Sequence, residues 1–131
     1  MPAVAHDDRM PVRVLVVDDH QLFRDTVRRL LTIAGFTVVG EAADGAAAIA
    51  AADTLHPDLV LLDVQLPDMD GFHVARELSR VPSPPAVVLV STRDQSDYGG
   101  LVERSHTVGF VAKADLTGSR LHELLDRYHS T

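Results

Sequence analysis

Short apolar runs alternate along the chain with longer stretches whose apolar residues recur every three or four positions. "VRVLVV" (12–17) is the first run and reads as a buried strand. "LFRDTVRRLLTIAG" follows, with Phe23, Val27, Leu30, Leu31 and Ala34 on one helical face and Gly35 as a natural stop. "FTVVGEA" (36–42) predicts a second strand. "DGAAAIAAADTLHP" predicts an alanine-rich helix, capped by Asp44 and ended by Pro57. "DLVLLDV" (58–64) is a third strand, and "DGFHVARELSR" (70–80) a short helix with Phe72, Ala75 and Leu78 or Ser79 turning on one side. "AVVLVS" (86–91) is a fourth strand. Residues 94–106 predict a marginal helix, because Gly99 and Gly100 each cost roughly 1 kcal/mol against alanine. "GFVAK" (109–113) is a fifth strand. "TGSRLHELLDRYH" closes as a helix, with Thr117 as cap and Leu121, Leu124, Leu125 and Tyr128 as its stripe.

The order is (βα)5. Strands that are apolar throughout, without alternation, imply a parallel sheet covered on both faces, with right-handed crossovers. Residues 1–10 read as a flexible N-terminal lead and residues 11–131 as a single domain. The start of the chain has no apolar core behind a basic end, and no apolar run approaches a membrane span. A cytoplasmic protein without membrane contact is therefore expected. The chain has no cysteine, which excludes disulfides and thiolate metal sites. Its formal net charge of −7 makes direct nucleic-acid binding by this chain unexpected, since phosphate contacts need a basic face. The seven histidines stand at no metal-ligand spacing and read as surface or core.

In open α/β sheets sites form outside the carboxyl ends of the strands. Here the first strand ends in Asp18-Asp19, the third in Asp63, the fourth in Ser91-Thr92 and the fifth in Lys113. Glu41, near the end of the second, is an outlier. Each alone is what a turn, a cap or a solvated surface commonly shows. All of them on one rim point to chemistry. Adjacent carboxylates repel and are costly to desolvate, so a cation must offset them. Mg²⁺ favours oxygen ligands and commonly serves phosphoryl groups. Lys113 would add a point charge and Ser91 a hydroxyl donor for phosphoryl oxygens. One carboxylate could act as the nucleophile that becomes an acyl phosphate.

"VLVVDDHQLFR", "PDLVLLDVQLPDMDGF", "VVLVS" and "GFVAKA" together resemble the receiver domain of bacterial two-component response regulators, over about residues 12–128. The "DDH" start and the alanine after Lys113 resemble the NarL/LuxR-type subfamily. The resemblance implies a flavodoxin-like, doubly wound sheet of strand order 2-1-3-4-5. It implies a phosphoacceptor signalling domain that catalyses only its own Mg²⁺-dependent phosphorylation and dephosphorylation. Asp63 would take the phosphoryl group from a sensor histidine kinase. Asp19, Asp63 and the backbone carbonyl of Gln65 would hold Mg²⁺, with Asp18 assisting. Ser91 and Lys113 would bind the phosphoryl group. Ser91, Thr92 and Phe110 would form the switch, and Pro67 and Gly71 would shape the loop after Asp63. Output would pass through the face of helix 4, strand 5 and helix 5, to a homodimer or a downstream protein.

The segment before the fifth strand, "YGGLVERSHT", departs from the alanine-rich family pattern and leaves switching and partner choice open. The resemblance also implies that Gln65 and Arg93 occupy the positions that tune acyl-phosphate lifetime in this family. His20 and Asp68 read as helix-start or loop residues, and Asp70 as a helix cap. Two alternatives stay open: a phosphorylation-independent interaction module, and the N-terminal fragment of a LuxR-type transcription factor. A haloacid-dehalogenase-like phosphatase would need Asp-x-Asp after its first strand, which this chain lacks.

Overall fold

The central strands form because valine and leucine residues run without a polar break, and the strands stack in parallel because successive ones are joined by segments long enough to cross over. The computed structural model describes residues 11–129; the lead expected over 1–10 and the last two residues of the expected domain lie outside them. Strands β1 (Arg13–Val17), β2 (Thr37–Ala42), β3 (Leu59–Asp63), β4 (Ala86–Ser91) and β5 (Gly109–Ala112) make one sheet in the order β2-β1-β3-β4-β5. All four pairings are parallel. Helices α1 (Gln21–Ile33) and α4 (Gly118–His129) cover one face; α2 (Gly45–Leu55) and α3 (Gly71–Leu78) cover the other. No helix among the described residues is long and apolar enough to cross a membrane.

The helix ends follow local chemistry. The N–H groups of Gly35 and Phe36 donate to the carbonyls of Thr32 and Leu31, closing α1 where Gly35 takes φ +96°. The Asp44 carboxylate accepts from Ala47 N, Asp70 from His73 N, and the Thr117 hydroxyl from Arg120 N. Along the strands, odd and even side chains part company. Val14, Val16, Leu61, Val88, Val90 and Val111 pack under α1 and α4. Leu15, Val17, Leu62, Leu89 and Phe110 pack under α2 and α3.

One expected element is different. Residues 94–106 are not an α-helix: a 3₁₀ turn spans Gln95–Tyr98, and irregular turns lead on to β5. Gly99 is the reason, since it adopts φ 58° and ψ −132°, a backbone that no helix and few side-chain-bearing residues accept. Asp94 and Asp97 cap this single turn through reciprocal hydrogen bonds. The C-terminal helix is thus the fourth α-helix. The expected face of helix 4, strand 5 and helix 5 is instead a turn segment, β5 and α4.

Candidate functional site

Sheet register assembles the strand ends. Val17 pairs with Leu62, Asp63 with Val90, and Ser91 with Ala112, so Asp18, Asp63 and Lys113 emerge side by side at the carboxyl rim. The period-2 alternation does the rest. Asp18, Asp63 and Lys113 continue the faces of Val16, Leu61 and Val111, all on the α1/α4 side. Ser91 continues Leu89, on the α2/α3 side together with Phe110.

Asp18 is fully buried and Asp63 nearly so. The Lys113 ammonium donates to Asp18 Oδ2 at 2.5 Å and to Asp63 Oδ2 at 3.3 Å. It also stands 4.3 Å over the centre of the Phe23 ring. Asp18 Oδ1 accepts the His20 N–H at 2.8 Å, and Asp63 Oδ1 the Gln65 N–H at 3.0 Å. Arg24 donates to the Asp18 carbonyl at 2.6 Å and to Glu41 at 2.9 Å. Burial pushes the Asp63 carboxyl above its ordinary value; the neighbouring Asp18 charge adds to this, against the Gln65 N–H and Lys113. Burial alone would lower Lys113, but its bond to Asp18 and the charges of Asp63 and Asp18 hold it above its usual value.

A cleft of about 310 Å³ opens at this rim, lined among others by Asp19, Asp63, Gln65, Pro67, Thr92 and Lys113. A larger groove, about 550 Å³, lies between α2 and residues 81–85, lined by Ile49, Leu78, Val81 and Pro82 among others. It contains none of the strand-end residues, so size is a poor guide to the chemistry. Asp18, Asp19, His20 and Asp63 each offer a ligand atom, all within 4.8 Å of one another. Three carboxylates at that spacing, with hard oxygen donors and one side open to the cleft, fit a divalent cation such as Mg²⁺.

Behind Asp63 the chain turns tightly. Gly71 N donates to the Val64 carbonyl at 2.6 Å. A Cβ at Gly71 would lie 2.5 Å from the Asp63 carbonyl oxygen and 2.9 Å from Val64 Cα, so only glycine fits.

Residues 14–126 match the model of the response regulator receiver domain. The chain belongs to the receiver family. It is 39% identical over 116 residues to the probable transcriptional regulatory protein NarL of Mycobacterium tuberculosis, covering 88% of this chain and 54% of NarL. It is 36% identical over 111 residues to the transcriptional regulatory protein PdtaR of the same species, covering 85% and 52%. It thus spans about half the length of these relatives. The solved signal receiver domain of the Mycobacterium tuberculosis NarL superposes with a TM-score of 0.81 at 37% identity, covering 92% of this chain and 98% of that one. A LuxR-family response regulator from Aurantimonas superposes with a TM-score of 0.80 at 25% identity, covering 91% and 85%. Both the receiver family and its NarL-type affinity, expected from the motifs, hold. Receivers are signalling domains of two-component systems and not an enzyme family in themselves.

Within this receiver, Asp18, Asp63 and Lys113 come together as expected, and Asp19, Gln65 and Thr92 line the cleft. Ser91 and Phe110 do not reach it. Ser91 is fully buried and its hydroxyl lies 2.6 Å from that of Tyr98; Phe110 is buried against the same tyrosine. Tyr98 escaped the sequence reading because it sits in the segment taken for a helix. Phe23 looked like plain core stripe, and nothing local marks it as the ring beneath Lys113. His20, one of seven histidines without ligand spacing, nevertheless joins the carboxylate cluster: its Nδ1 is 3.0 Å from Asp19 and 3.2 Å from Asp18. Asp68 is more than a loop residue, since its carboxylate accepts from Gly45 N and Ala46 N at the start of α2. Glu41 pairs with Arg24 and Arg28.

Proposed function

We propose that Asp63 is the phosphoacceptor, taking its phosphoryl group from the phosphohistidine of a sensor histidine kinase. The observation that carries this reading is the nearly buried Asp63 carboxylate, facing Lys113 and Asp18 at the floor of an open cleft. Burying a carboxylate beside a second buried carboxylate is costly to stability, and such perturbed groups cluster at functional sites. An Asp63 oxygen forms the new O–P bond as the N–P bond of the phosphohistidine breaks, and the imidazole leaves with the electron pair. Lys113 already holds the Asp63 oxygen and pairs with the incoming phosphoryl oxygens. The Gln65 N–H keeps the carboxylate oriented through its other oxygen. Thr92, on the cleft wall, offers a further hydroxyl. Mg²⁺ held by Asp19, Asp63 and the Gln65 carbonyl, with Asp18 assisting, would supply the positive charge that offsets carboxylates and phosphoryl oxygens.

Residues 11–131 act in this reading as one cytoplasmic receiver domain, with 1–10 as its lead. The relatives named as transcriptional regulators make control of transcription the favoured output, through dimerisation or a downstream protein. The chemistry is tested by incubation with Mg²⁺ and acetyl phosphate, read by intact mass, with Asp63→Asn alongside. One added phosphoryl group is expected in the parent protein only, and only with Mg²⁺. An adduct that persists in Asp63→Asn would refute the assignment.

A further inference from the structure

Ser91 has no solvent exposure, and its hydroxyl has one proton and two lone pairs. One lone pair accepts the Arg93 N–H at 3.0 Å. The Tyr98 hydroxyl, 2.6 Å away, is the remaining partner among the described residues. A buried O–H that cannot reach water needs an acceptor. The Ser91 proton is therefore given to Tyr98, whose side chain is partly exposed. Tyr98 itself is held from both sides: its ring lies edge-on to Phe72 at 5.6 Å and tilted on Phe110 at 5.9 Å. It closes the 3₁₀ turn, one residue before the Gly99 kink.

We propose that Tyr98 is a positioning residue that competes with the Asp63 phosphoryl group for the single proton of Ser91. This rests on the reading of Asp63 as phosphoacceptor and on the Ser91 hydroxyl turning from Tyr98 to the phosphoryl group. In the unmodified protein Ser91 points to the α2/α3 side, bonded to Tyr98, while Asp63 faces the α1/α4 side. A phosphoryl oxygen is a charged acceptor and outcompetes a phenol oxygen. Ser91 cannot donate to both, so phosphorylation frees Tyr98. Its ring then keeps only the aromatic contacts, and the turn segment from Gln95 to Thr107, held by isolated turn hydrogen bonds and not by a continuous helix, changes its packing on Phe110. Phe110 has no hydroxyl of its own. The polar half of the switch therefore sits on Tyr98, outside the fifth strand.

The chain has two tyrosines, Tyr98 and Tyr128, so 3-fluorotyrosine labelling of the whole protein gives two ¹⁹F lines. Tyr98→Phe assigns them. Mg²⁺ and beryllium fluoride are then added, so that the bound fluorides report site loading in the same spectrum. Loading is expected to shift the Tyr98 line and leave that of Tyr128 in place. In Ser91→Ala the Tyr98 line should start displaced and respond little to loading. Tyr98→Phe should bind beryllofluoride roughly threefold to tenfold more tightly, the scale of one neutral hydrogen bond no longer competing. Bound fluoride with an unmoved Tyr98 line overturns this proposal alone, as does unchanged or weaker affinity in Tyr98→Phe. Absence of bound fluoride removes the acceptor reading, and this proposal with it.

Discussion

Lys113→Met removes the cation from the site, including the charge 4.3 Å over the Phe23 ring, while keeping an unbranched apolar side chain. At 2.5 Å and 3.3 Å the ammonium attracts Asp18 and Asp63 by about 6–7 and about 5 kcal/mol, with an effective dielectric of about 20. These are gross terms, and removal of the lysine also ends its own desolvation. What stays behind decides the outcome: two buried carboxylates with oxygens within 4.8 Å. At that separation and dielectric they repel by about 3.5 kcal/mol. Breaking a buried pair by deleting one partner costs on the order of 3–5 kcal/mol, in agreement. We expect a loss of about that size near pH 7.5 in urea unfolding followed by circular dichroism, without divalent cation. The cost should be smaller at acid pH than near pH 7.5, roughly, because the Asp63 carboxyl, raised by burial, takes up a proton as the pH falls and ends the repulsion. Asp18→Asn added to Lys113→Met should recover most of the loss, and so should millimolar Mg²⁺. A cost below about 1 kcal/mol near pH 7.5, or one equal at both pH values, would refute the view that Lys113 is the counter-charge of this pair.

Asp63→Asn should raise the melting temperature at neutral pH, because the folded protein holds this carboxyl above its unfolded value. The sign follows from proton binding: between the two values the native state binds more protons, so parent stability falls as pH rises, and melts from roughly pH 4 to 8 should show a flatter dependence in Asp63→Asn. Glu41→Gln should act on the acid side. Burial raises the Glu41 value, but the guanidinium groups of Arg28 and Arg24 outweigh it and hold it low. Its contribution is present above the unfolded value and lost as pH falls through the folded one, so parent and Glu41→Gln stabilities should differ at neutral pH and converge in acid. Gly71→Ala should cost about 1–3 kcal/mol in urea unfolding, and should slow phosphorylation by acetyl phosphate, since the new Cβ meets the Asp63 backbone. A Gly71→Ala protein of unchanged stability and rate would mean that the loop has slack that the close contacts do not suggest.

The first four strands and the four α-helices declare themselves because the signals are local. Unbroken runs of valine and leucine make β1, β3 and β4. Asp44, Asp70 and Thr117 cap helices through bonds to N–H groups three residues on, and Gly35 ends α1 through its own backbone. The site was legible for a related reason: in a parallel sheet all strands end on one rim, so Asp18, Asp19, Asp63 and Lys113 could be gathered by counting strands. What counting could not supply is which groups touch. Lys113 and Asp18 are 95 residues apart, and only the register of β1, β3, β4 and β5 brings them into contact. The side of the sheet matters equally, since alternation sends Ser91 away from Asp63 and towards Tyr98. The segment after Asp94 defeated the helical reading because Gly99, already a weak point of the expected helix, takes a non-helical backbone conformation open to glycine. Asp68 capping α2 and Phe23 lying under Lys113 are contacts between elements set by packing. Local spacing determines which elements form and which residues end them. Partners, burial and therefore the charge state of Asp63 arise only when the elements pack, because desolvation and Coulomb interaction depend on distance in space and not along the chain.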